Sequence, residues 1–214
     1  MIGLAEATRT ESPTASMETP PANGGGVVFQ GVGKAFRKGA RSIEAVRDVS
    51  LSVAEGELLA VLGPSGCGKS TLLNMAAGLM AASAGKVVYQ GREVAGVVRG
   101  IGYMTQHDSL IPWRTAARNV EMPLEIAGHS PKDRRAAVER QLAMVGLAGF
   151  GNHYPGELSG GMCKRVALAR TLIYEPKLLL MDEPFGAIDA QTKVVLQSEF
   201  LSIWRMSRPT VIFV

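Results

Sequence analysis

At 214 residues, 46% of them hydrophobic and 20% charged, the chain carries enough apolar mass to bury one sizeable core with a smaller lobe beside it. Its formal charge of +4 is spread thinly: basic residues are interleaved with acids, as in KDRRAAVERQ at 132–141, which reads as a solvated helix face and argues against a basic arm for nucleic acid. The two cysteines, Cys67 and Cys163, have no metal-type spacing and are too few for a disulfide-built secreted fold, so a reducing cytosol is expected.

Residues 1–26 are rich in Ser, Thr, Pro, Ala and Gly and hold no apolar run long enough for a signal peptide, so a disordered tail is expected, with Met17 as an alternative start. No stretch reaches the ~20 apolar residues that span a bilayer. VVFQGVGKAF (27–36), the alternating VSLSV (49–53) and GKVVYQG (85–91) predict an antiparallel sheet near the N-terminus. ELLAVLG (57–63), IGYMT (101–105), KLLLMD (177–182) and TVIFV (210–214) are short apolar runs of the kind a parallel sheet buries on both faces. Helical patterns separate them, which makes the chain α/β. TAARNVEMPLEIAG (115–128) is one such pattern. In the next, Ser130 and Pro131 supply a cap and first turn, Val138, Leu142 and Val145 recur at helical spacing, and Gly146 ends the run. Together they predict a helical insertion over about 107–165. A last amphipathic helix follows Asp189, with Leu196, Phe200, Ile203 and Trp204 on one face.

Two segments carry chemistry. GPSGCGKS (63–70) matches the G-x-x-x-x-G-K-[ST] phosphate cradle and sits between a buried strand and the helix KSTLLNMAAGL, where that cradle must be. Gly63, Pro64, Ser65, Gly66, Cys67 and Gly68 would wrap a phosphate with backbone N–H groups and the helix N-terminus. Lys69 would reach the β- and γ-phosphates of a nucleotide, Ser70 would ligate Mg²⁺, and Thr71 would add a contact to the α-phosphate. Cys67, at a helix N-terminus, reads as an oxidisable thiol or simply as a small residue that fits the turn. LLLMDEP (178–184) is an apolar strand ending in two acids. Strand alternation predicts that Asp182 and Glu183 point to opposite sides, Asp182 to hold Mg²⁺ or its water and Glu183 to polarise an attacking water.

ELSGGMCKRVALARTL (157–172) decides among phosphate-binding ATPases. With the cradle, Gln106, LSGG, LLLMDEP and AID in that order, residues 27–214 resemble the ATP-binding cassette (ABC) ATPases. The resemblance implies a P-loop NTPase parallel-sheet core with an N-terminal antiparallel β subdomain and an inserted α-helical subdomain. It implies that Phe36 stacks on adenine and that Gln106 senses Mg²⁺ and the attacking water. Ser159, Gly160 and Gly161 would close on the γ-phosphate of ATP held by a second subunit, and Asp189 would couple the two sites of the homodimer. Met162 stands where the family usually has Gln; the phosphate contacts come from the positions before it, so ATP sandwiching is expected to survive.

QHDSLIPWRTAARNVEMPLEI (106–126) and FGAIDAQTK (185–193) are similar to importer subunits for nitrate, sulfonate, taurine and related small anions. That implies an ATPase on the cytoplasmic face of the cell membrane, working with integral-membrane permease subunits and a solute-binding protein, without nucleic acid. Pro112 and Trp113 are read either as the surface that receives a permease helix or as packing beneath the helical lobe. Two other functions compete: a soluble, non-transport cassette ATPase, and a nucleotide-binding remnant without turnover. The second draws on the terminal TVIFV, after which the family runs into a Thr-His whose His contacts the γ-phosphate. His107, His129 and His153 lie far upstream of that position. A truncated sequence is therefore expected, and the 214-residue chain by itself should bind ATP weakly, turn it over negligibly and dissolve poorly.

Overall fold

A computed structural model of the chain describes residues 7–9, 26–39, 41–186 and 188–214. In chain order the elements are β1 (Ala7–Arg9), β2 (Val27–Lys38), β3 (Arg41–Val53), β4 (Leu58–Val61), α1 (Lys69–Ala76), β5 (Ala84–Tyr89), β6 (Arg92–Glu93) and β7 (Gly102–Met104). They continue with α2 (Ala116–Ile126), α3 (Pro131–Met144), a 3₁₀ turn (Pro155–Glu157), α4 (Gly160–Leu172), β8 (Leu178–Met181), α5 (Ala190–Ser207) and β9 (Thr210–Phe213). The chain divides into two compact units, one of residues 1–101, 178–182 and 209–214, the other of 102–177 and 183–208.

The first unit holds two sheets. In one, β8, β9 and β4 run parallel, with Leu178 beside Thr210 and Leu58 beside Val211. Leu178, Leu179, Leu180, Val211 and Ile212 are wholly buried, which is why these runs show no polar alternation. In the other, β3, β2, β5 and β6 lie side by side as an antiparallel sheet. The sequence shows only residues 49–53 as a strand here, yet β3 begins at Arg41. Ser42, Ile43 and Glu44 are exposed, and their backbone pairing with β2 rather than any apolar face makes them strand. β1 lies within the segment expected to be tail; it pairs antiparallel with β4, covering an edge that would otherwise be open. The rest of 1–25 lies outside the described residues.

The second unit is helical, and its caps are those the sequence predicts. Ser130 Oγ accepts a hydrogen bond from the Asp133 N–H, and Gly146 takes φ +70° just past α3. Leu196, Phe200, Ile203 and Trp204 form the buried stripe of α5. Glu121 of α2, its side chain only 11% exposed, accepts from Arg134 Nε of α3 at 2.8 Å and from Arg118 Nη1 at 2.7 Å. Burial pushes its carboxyl up, but the bonds from Arg134 and Arg118 together outweigh that and hold it below the usual carboxylate value. Asn119, wholly buried, is satisfied by the loop before α2. Its Oδ1 accepts from the Ile111 N–H, and its Nδ2 donates to the carbonyls of Ile111, Arg114 and Thr115. That pins residues 111–115 and leaves the Trp113 side chain outward, 78% exposed. Of the two readings of Trp113, the packed one is excluded.

Candidate functional site

In the first unit, β4 delivers the chain into the Gly63–Gly68 loop and α1 leads it out. Gly66 and Gly68 take φ +80° and +97°, conformations open to glycine at little cost. Gly68 has a second constraint, because a Cβ there would lie 2.3 Å from the Ala45 carbonyl oxygen of β3. The first turn of α1 has no acidic residue of its own and its N-cap glycine offers no side-chain acceptor, so no side chain of the loop or helix caps its N–H groups. Lys69 arches back over the loop: its Nζ donates to the Gly63 carbonyl at 2.8 Å and the Pro64 carbonyl at 2.9 Å, with Cys67 Sγ at 3.8 Å. Ser70 Oγ donates to Asp182 Oδ1 at 2.9 Å, joining residues 112 positions apart. Thr71 follows in the same helix, and Ser65 is exposed at the loop crest.

This donor set fits a nucleotide with Mg²⁺. The cradle presents N–H groups and one ammonium to an anion. A hydroxyl and a carboxylate, already within bonding distance of each other, supply the oxygen ligands that Mg²⁺ prefers alongside phosphate oxygens. Phe36, on β2, is 40% exposed rather than a core residue, and Lys34 Nζ lies 5.6 Å from its ring centre.

The second unit carries the other candidates. Gln106 follows β7, and its Nε2 donates to Glu183 Oε2 at 2.9 Å. Strand alternation does not set the roles of the two acids: β8 ends at Met181, and Glu183 has φ +46° in a turn closed by the Gly186 N–H bonding the Glu183 carbonyl. The left-handed backbone at Glu183, uncommon for a residue with a side chain, turns its carboxylate toward Gln106.

Ser159 caps α4, its Oγ accepting from the Met162 N–H at 3.3 Å. Gly160 and Gly161 form the first turn, and a Cβ at Gly161 would meet Thr192 Cγ2 at 3.0 Å. Asp189 caps α5 by accepting from the Thr192 N–H at 2.9 Å. Its carboxyl is held below the usual value by the Thr192 side chain and then by backbone N–H groups. Thr192 therefore brings the LSGG turn and Asp189 to one place. Met162 contributes its N–H to the cap, so a change of side chain leaves that contact intact.

Three residues of this unit escape sequence reasoning. Lys164 is 7% exposed; its Nζ donates to the Gln106 carbonyl at 2.9 Å and pairs with Asp108 Oδ1 at 2.9 Å. Arg170 donates to the carbonyls of Asp108 at 2.7 Å and Ser109 at 2.8 Å. The local signal was weak, because Lys164 stands beside Arg165 in GGMCKRVALARTL and nothing in that run says which of the two is buried. The Cys163 thiol, beside Lys164, has its pKa pushed up by burial and then by Asp108, and its Sγ donates to the Pro155 carbonyl at 3.5 Å.

The family model described as ABC transporter matches residues 46–186, a span that includes the cradle, Gln106, LSGG and both acids but not Phe36 or Asp189. An ABC transporter ATP-binding protein of Methanocaldococcus jannaschii is 46% identical over 85% of this chain and 68% of its own length. The taurine import ATP-binding protein TauB of Yersinia pestis is 50% identical over 75% of this chain and 63% of its own. The aliphatic sulfonates import ATP-binding protein SsuB of Bacillus licheniformis is 45% identical over 85% and 70%. The chain thus spans about two thirds of the length of these relatives. Among solved structures, the ATP-binding cassette MJ0796, in a dimeric post-hydrolysis state bound to ADP and Pi, is 33% identical. It matches with a TM-score of 0.78 over 87% of this chain and 86% of its own.

Proposed function

The chain belongs to the ABC transporter ATPase family, and from that premise we propose that it binds and hydrolyses ATP to drive import of a small anion of the taurine or sulfonate kind. The carrying observation is the contact of Ser70 Oγ with Asp182 Oδ1 at 2.9 Å beside the glycine loop. A hydroxyl from the loop's helix and an acid from a strand end, brought together from opposite parts of the chain, form a cation site directly at a phosphate cradle.

Each residue then has a role. The backbone N–H groups of residues 65–70 and the Lys69 ammonium hold the phosphates, Phe36 stacks on adenine, and Ser70 and Asp182 would hold Mg²⁺. When bound, the ion neutralises charge on the phosphate oxygens. Glu183 accepts the proton of the attacking water, and the Gln106 amide, hydrogen-bonded to the same carboxylate, orients both. Ser159, Gly160 and Gly161 are proposed to receive the γ-phosphate of ATP bound to a second copy, because a serine hydroxyl and free N–H groups at the start of α4 favour an anion. Asp189, within reach of the same turn through Thr192, couples the two copies. Residues 27–214 are taken as the cassette, with about 107–165 its helical subdomain. Among the described residues no helix is long and apolar enough to cross a membrane. Attachment to the cytoplasmic face would come through permease subunits docking at Pro112 and Trp113, with a solute-binding protein delivering the anion. The relatives named as taurine and aliphatic sulfonate import proteins support this reading. Solute choice would rest with the other subunits.

The test is a calorimetric titration of ATP with Mg²⁺ and with chelator, on the parent and Ser70→Ala. Affinity should depend on Mg²⁺ in the parent and lose most of that dependence in the variant. Equal Mg²⁺ dependence in both would refute the cation site.

A further inference from the structure

Lys164 stands out as a buried ammonium that the proposed chemistry leaves unused. It is 7% exposed, and both of its named partners belong to one short loop: the Gln106 carbonyl at 2.9 Å and Asp108 Oδ1 at 2.9 Å. Arg170, six residues later on α4, holds two further carbonyls of that loop, those of Asp108 and Ser109. Burial lowers the Arg170 pKa and the nearby Asp108 opposes that, as for a guanidinium kept charged inside a protein by its partners. The loop is therefore fastened to α4 at successive points. The same helix is capped by Ser159, five residues before Lys164, and the side chain of the fastened Gln106 ends on Glu183.

We propose that Lys164 is a positioning residue for hydrolysis, fixing the Gln106 backbone to the LSGG helix so that the Gln106 amide stays on Glu183. An ammonium suits this task because it donates to the Gln106 carbonyl while its charge pairs with the Asp108 carboxylate, and burial makes both contacts costly to lose. Any displacement of the LSGG turn carries α4 and Lys164 with it and so turns Gln106 relative to Glu183. Arrival of an anion at Ser159 is thereby converted into orientation of the water-activating pair. The inference rests on the reading of Glu183 and Gln106 given above.

The experiment uses a version of the chain extended through the rest of the cassette, where turnover is expected, and measures steady-state ATPase (kcat and KM) and equilibrium ATP affinity for that parent, K164M, K164R, D108N, E183Q and Q106A, and for K164M and D108N combined with Q106A. K164M should lower kcat by about 10- to 100-fold, the scale of a small misplacement of a reacting group, while KM and ATP affinity stay within about twofold. K164R, which can still donate to the Gln106 carbonyl, should recover most of kcat. D108N should lower kcat in the same direction and, with Asp108 26% exposed, leaves the core intact if K164M fails to fold. Q106A keeps the carbonyl that Lys164 binds but removes the amide it positions, so K164M and D108N should each change kcat by less than about twofold in that background.

Full multiplication of the Lys164 or Asp108 effect in the Q106A background overturns the proposal. So does parental kcat in both K164M and D108N, or a loss of ATP affinity that matches the loss of kcat. E183Q separates the two levels of argument: parental turnover in E183Q removes the assigned base and the inference with it. Loss in E183Q with parental turnover in both K164M and D108N removes the inference alone.

Discussion

Replacing Glu183 with Gln keeps the size and shape of the side chain while removing one charge and one proton acceptor. In the structure Glu183 Oε2 accepts from Gln106 Nε2 at 2.9 Å, and the amide oxygen of the substituted residue can accept the same bond. What changes is a charge-assisted bond becoming a neutral one, a loss of about 1 kcal/mol or less at this partly exposed position. In a chain of this size that corresponds to a fall in melting temperature of no more than about 4 °C. Loss of a general base costs far more where it acts, about 10²- to 10⁴-fold in rate, or about 2.7–5.4 kcal/mol of transition-state stabilisation. The two magnitudes separate a chemical role from a structural one. In a version of the chain extended through the rest of the cassette, Glu183→Gln should therefore bind ATP like its parent, melt close to it, and hydrolyse at least about a hundredfold more slowly. Because ATP is then retained, gel filtration with Mg-ATP should show a dimer. Parental turnover would refute the role of Glu183, as would a slow rate accompanied by a large fall in melting temperature or ATP affinity. A monomer at saturating ATP would refute the two-copy sandwich.

Lys69→Ala removes the one ammonium bonded across the glycine loop and should abolish ATP binding by calorimetry. Trp113→Ala, at a side chain 78% exposed, should weaken co-purification with the permease while leaving ATP affinity at the parental value, read by pull-down and titration. Glu121→Gln should cost about 1.5–3 kcal/mol in denaturant unfolding at neutral pH, the scale of hydrogen bonds to a charged group. The folded-state pKa of Glu121 lies below its unfolded value, so its contribution is complete above the unfolded value near 4.5 and disappears as pH falls through the folded one. The parent and Glu121→Gln should therefore converge in stability as the medium is acidified below that value. A gap that stays constant with pH would contradict the ion-pair account.

The glycine loop was legible in the chain because its signal is local: glycines, Lys69 and Ser70 lie within eight consecutive positions between a strand and a helix. The cap at Ser130, the helix start at Asp189 and the stripe Leu196, Phe200, Ile203, Trp204 were legible for the same reason, since each depends on residues within a few turns. The second acid was legible in its outcome and not in its cause: Asp182 and Glu183 meet different partners, Ser70 and Gln106. Alternation along an apolar run predicts opposite directions for Asp182 and Glu183, but the strand stops at Met181, and a left-handed residue does the turning. Positive φ at a glutamate is held in place by its surroundings, and no propensity announces it. The exposed half of β3 was hidden likewise, because backbone pairing with β2 asks nothing of side-chain polarity. Ser70 meeting Asp182 across 112 positions, and Lys164 meeting Gln106 across 58, needed the folded chain. Sequence determines which residues can hold a phosphate, a cation or a proton, because that is side-chain chemistry. Which of them share a hydrogen bond depends on how distant strands and helices pack, and only the tertiary structure decided that.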